Sequence, residues 1–172
     1  MRSVILTQTR LAQLGLGLLA AAMLLGGAVA VSQGPAAVPA YSPGLGDLMN
    51  ESMQVHHVKL WLAGSARNWS LAAYEAKELR ETVGDVQTFS PKWHNIPVGA
   101  MVSGLIPDLN RVDQAISAKD TVKFAAAYQQ LTAACNTCHA GAGHPEIKVV
   151  EPSARAAASF PDQVFTPAGA SH

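Results

Sequence analysis

Two cysteines and the histidine that follows them carry the most specific chemical signal in this chain: Cys135-Asn136-Thr137-Cys138-His139. Thiols three positions apart share one turn of a helix, and an imidazole next to the second reaches the same space. In that spacing each S–H can add across a vinyl group of a porphyrin and the imidazole can ligate its iron. The stretch therefore reads as an attachment site for one covalently bound haem c per chain, with Cys135 and Cys138 forming the thioethers and His139 the proximal ligand. Both cysteines of the chain fall inside the motif. Three other chemistries compete. A short disulfide would leave His139 without a task. A thioredoxin-like pair expects a strand-to-helix setting, whereas the approach here is helical. A zinc site from Cys135, Cys138, His139 and His144 would place ligands next to one another, where tetrahedral closure is awkward, and lacks a separated second pair.

The chain opens with Arg2 and Arg10 and an uncharged run from Leu11 that closes on Ala28-Val29-Ala30. A basic start, an apolar run and small residues at its end are the parts of a signal peptide, read over residues 1–30. The run approaches the ~20 residues that span a bilayer, so an uncleaved anchor is the alternative and the only route to a membrane. Either way the remainder is expected outside the cytoplasm, in the periplasm of a Gram-negative bacterium. Positive and negative side chains balance at 12 each, which implies neither nucleic acid nor an anionic surface as a partner. Residues 31–46 read as a linker, 47–145 as a single domain and 146–172 as an extended tail.

The domain has to position the motif, and helical periodicity supplies the means. Leu48, Met49, Met53, His56, Leu60 and Ala63 line one face of a first helix. Asn68 or Ser70 can cap a second that runs to about Val86, with Leu71, Tyr74, Leu79 and Val83 inward and Glu75, Lys77, Glu78, Arg80 and Glu81 outward. Ser90-Pro91 and Ile96-Pro97 interrupt the pattern. A third helix starts at Pro97 and is kinked or divided at Pro107. Asp120 caps a fourth, whose Val122, Phe124, Ala125, Tyr128, Leu131, Thr132 and Cys135 lead into the motif before Gly141, Gly143 and Pro145 stop it. Short connections make sequential helices antiparallel neighbours, so the expected fold is all-α, an antiparallel up-down four-helix bundle with haem on the C-terminal helix.

The order of these parts resembles the class II c-type cytochromes, the bundle family that includes cytochrome c prime and its low-spin relatives. In cytochromes of the mitochondrial type the motif lies near the mature N-terminus and a ligand methionine follows it, whereas here Met49, Met53 and Met101 all precede His139. The resemblance covers about residues 47–145. It implies that Cys135 and Cys138 are the thioether cysteines and His139 the proximal ligand, and that Met49 or Met53 corresponds to the first-helix position that supplies a distal methionine. Cytochrome c prime proteins usually carry a basic residue one turn beyond the motif histidine, and this chain has Gly143 there. Bundles of the family often pair through helix faces, so a homodimer is one form it implies.

At ~100° per residue, Met49, Met53, His56 and Leu60 fall on one stripe of the first helix and His57 sits at its edge. Met49 is the expected distal ligand, with Met53, His56 and His57 as alternatives and ordinary core packing as the bland reading of a methionine stripe. A His/Met iron suits an electron carrier meeting redox partner proteins; an open or displaceable position suits binding of nitric oxide or carbon monoxide. Lys59 and Arg67 are candidates to pair with haem propionates, against a solvated role for both. Trp61, Trp69 and Trp93 are expected as packing residues.

Overall fold

The computed structural model describes residues 41–169; the expected signal segment and most of the linker lie outside them. Four long helical segments make up most of these residues, and among them there is no strand, only an isolated bridge between Trp93 and Ile96. The chain is all-α.

Helix α1 spans 45–65. It begins as Leu45–Asp47, where the Asp47 carboxylate accepts from the Gly44 N–H at 3.0 Å. It widens into a π-helical stretch over Leu48–Met53 and continues as Gln54–Ser65. Helix α2 is Trp69–Phe89, capped by the Asn68 side chain, which accepts from the Leu71 N–H. Helix α3 spans 98–117 in three pieces: Val98–Val102, a 3₁₀ turn Ser103–Leu105, and Ile106–Ser117 with Pro107 in its first turn. The division expected at Pro107 is present because proline lacks the N–H that would continue the ladder, so the break falls on its N-terminal side. Helix α4 is Thr121–Gly141, and the Asp120 carboxylate caps it by accepting from the Val122 and Lys123 N–H groups at 3.1 and 3.0 Å.

Consecutive helices pack on each other, and α4 returns to pack on α1. Leu60, Val83, Leu109, Val112, Phe124, Tyr128 and Leu131 meet in the common core. Gly64 leaves room on α1 for a side chain of α4: a Cβ built there would lie 2.1 Å from the Phe124 ring. The residues after α4 run extended and then form a 3₁₀ turn, Ala154–Ser159, that rests on α1. Phe165 is buried against the core, edge-on to Phe160.

Three expectations about faces need correction. On α2 the buried row is Ala72, Ala76, Leu79, Val83 and Val86, flanked by Glu75 and Thr82, while Tyr74 is 53% exposed. Glu75, expected outward, is buried because the His56 imidazole on α1 meets its carboxylate at 2.7 Å. Thr82 is drawn in likewise, by Ser52 at 2.7 Å. On α4, Val122 is exposed, since it lies about 200° around the helix from the buried Phe124. Lys77 and Glu81, expected outward on α2, pair there.

Candidate functional site

Between the N-terminal half of α1, the end of α4 and the tail lies a cavity of ≈ 520 Å³ with mainly apolar walls. That is within the ~300–1,000 Å³ typical of cofactor and ligand sites. Cys135, Cys138 and His139 line it from α4, and Met49, Met53 and His57 line it from α1. The two faces singled out by their chemistry thus look into one space. Leu79, Val83, Val102, Leu105 and Leu109 supply the apolar floor.

His139 is held from outside its own helix. Its Nδ1 lies 2.9 Å from the carbonyl oxygen of Ile147. A carbonyl only accepts, so Nδ1 carries the proton and Nε2 keeps its lone pair, the tautomer a metal-ligating histidine needs. Burial, with Cys138 as a smaller second cause, pushes the Cys135 thiol up to about 12, and burial also raises Cys138. Both sulfurs therefore stand as thiols at neutral pH.

The α1 candidates are sorted by their partners. Thr132 Oγ1 donates to the Tyr128 carbonyl at 2.9 Å, so it accepts from His57 Nε2–H at 3.0 Å. The Tyr128 hydroxyl, which carries one proton, donates to the His57 carbonyl oxygen at 2.9 Å and shares that proton with His57 Nδ1 at 2.8 Å. Both ring nitrogens of His57 are engaged, and burial lowers its pKa to about 4. Its edge lines the cavity, yet neither nitrogen offers a free lone pair. His56 does not line the cavity: it faces α2, where Glu75 and, at 4.0 Å, Glu78 meet it. Met49, half-buried, and Met53, buried, retain thioethers without competing partners, and both lie in the π-helical stretch. Such stretches are rare and frequent at functional sites.

No family model, curated protein or solved structure matches this chain.

The tail supplies residues that periodicity could not single out. Ile147, Lys148, Val149 and Val150 form a wall of the cavity. Lys148 is the cation of that wall, whereas the Lys59 ammonium sits 5.0 Å from the Phe160 ring centroid and Arg67 occupies the turn between α1 and α2 at φ 60°. Trp93 also lines the cavity and packs its ring on His144, while Trp61 and Trp69 pack against Phe124. His144 meets Glu146 at 2.8 Å rather than the cysteines. Among the described residues no three of His, Cys, Asp and Glu converge as they would around a bare metal ion. Two thiols, one correctly protonated imidazole, thioethers opposite and apolar walls are instead a donor set that fits a haem.

Proposed function

We propose that this chain is an exported mono-haem c-type cytochrome of the class II kind, an antiparallel four-helix bundle that carries electrons in the periplasm. The observation that carries the reading is the convergence of Cys135, Cys138 and His139 on one apolar cavity, with His139 Nδ1–H bonded to a backbone carbonyl. Packing of the helices in chain order, closed by α4 on α1, supports the bundle topology.

When bound, the haem supplies the Fe(III)/Fe(II) couple. Cys135 and Cys138 would hold it by thioethers, and His139 Nε2 and Met49 would ligate its iron, with Met53 as the alternative to Met49. The chain's own work is to hold these groups and keep water away. The Ile147 carbonyl orients His139 and raises the basicity of its imidazole. The leucines and valines of α2 and α3 keep the surroundings apolar, which tunes the potential. Lys148, on the cavity wall, would be the cation to pair with a propionate. No substrate is transformed; redox partner proteins would be met transiently over a small patch at the cavity edge.

The test is the protein expressed with haem-attachment machinery, run on a denaturing gel and stained for haem peroxidase activity. Haem that stays on the chain is expected; its loss would sink the reading. Oxidised protein should show a methionine charge-transfer band that Met49→Ala abolishes, and carbon monoxide should leave the reduced spectrum unchanged. A carbon monoxide shift in the unaltered protein would move the assignment to a gas-binding haem protein.

A further inference from the structure

The first residue between the cysteines is not a spacer. The Asn136 side chain faces the tail, where its Oδ1 accepts from the Val149 N–H at 2.8 Å and its Nδ2 donates to the Val149 carbonyl at 2.9 Å. A primary amide presents one donor face and one acceptor face, as a peptide group does, so this pair reproduces a strand-like pairing with a side chain in place of a backbone. Aspartate would lose the donor, and alanine both groups.

The clasp has a register. Gln129 reaches Glu151 at 3.1 Å, Asn136 holds Val149, and His139 Nδ1–H meets the Ile147 carbonyl at 2.9 Å. The tail therefore runs antiparallel to the last turns of α4. Asn136 and His139 lie three apart, on one face of the helix. Val149 and Ile147 lie two apart, on one side of an extended chain. Fixing one pair sets the other.

We propose that Asn136 is a positioning residue: it fastens residues 147–149 across α4 and so keeps the Ile147 carbonyl on His139 Nδ1–H, setting the tautomer and orientation of that ring. The consequence for the iron rests on the haem reading, whereas the clasp itself does not. An imidazole that donates to a carbonyl is a more electron-rich ligand, which stabilises the ferric state and lowers the potential.

The experiment compares the full chain with Asn136→Ala by hydrogen exchange at the Val149 amide, by exchange of the His139 Nδ1–H in ¹⁵N-resolved spectra, and by redox titration. In the unaltered protein both protons should be protected. In Asn136→Ala both should exchange at least about tenfold faster and the potential should rise, with haem staining retained. Val149→Pro removes the tail's donor without touching the attachment motif and should release the His139 Nδ1–H in the same way, so a failure of Asn136→Ala to mature does not end the test. Protons unprotected in the unaltered chain, or a His139 Nδ1–H whose exchange is unaltered in both variants, would overturn the proposal. If the unaltered chain holds no haem, the cytochrome reading fails, and the two exchange rates in that same protein still decide the clasp.

Discussion

Cys135 and Cys138 sit three residues apart in different surroundings. Cys135 is held near 12 by burial against the core, while Cys138 is raised by the same cause without a second charge beside it. Alkylation needs the thiolate, and each unit of pKa changes its fraction about tenfold. In haem-free protein at mildly alkaline pH, iodoacetamide should therefore modify Cys138 faster than Cys135, read by peptide mass spectrometry over time. Equal rates would mean that Cys135 is as open as its neighbour. The motif was legible because its chemistry lies in five consecutive residues. Choosing between His56 and His57 was not, since adjacent helical positions differ by ~100° and only the neighbouring helix decides which faces what. His56 meets Glu75 on α2, and His57 meets Tyr128 and Thr132 on α4. Lys148 was illegible for another reason: it lies in a segment without periodicity, whose placement depends on ties to α4.

At the level of elements, caps and breakers were readable: Asn68, Asp120 and Pro107 act where their local chemistry requires. The π-helical stretch Leu48–Met53 was not, because an α-helical count and a wider turn both leave Met49 and Met53 on one side. The inward face of α2 was misjudged at Tyr74 and Glu75 for want of the partners on α1 that draw Glu75 and Thr82 in. Close approach of helices depends on small residues, and Gly64 is one of them. Gly64→Ala would drive a methyl into the Phe124 ring, 2.1 Å from its Cζ. The ring is itself packed by Trp61 and Trp69, so it has little room to yield. The substitution should cost about 1–3 kcal/mol, seen as a lower urea midpoint with helical circular dichroism retained. An unchanged midpoint would show that α1 and α4 can separate freely at that end.

Across the whole molecule, His57 ties folding to pH. Folded, it is neutral with a pKa near 4; unfolded, it returns to about 6.5. A depressed folded value means that the unfolded chain binds the proton first as acid is added. Stability from this group is complete above about pH 6.5, declines as pH falls toward about 4, and levels off below that. The loss should be on the order of 3 kcal/mol. Urea titrations across that window should show it, and His57→Gln should flatten the curve. A slope that survives the substitution would place the titrating group elsewhere.

The tail has a consequence for how the molecule is assembled. The residues that form the floor and the opposite wall of the cavity precede Gly141, while the wall made by residues 147–150 follows it. A chain that emerges N-terminus first can pack its four helices before this wall exists. On the haem reading, the group would be seated in that interval, before the Asn136–Val149 clasp forms. On that same reading, shortening the delay before the tail docks should reduce the yield of haem-bearing protein without altering the potential of the protein that forms.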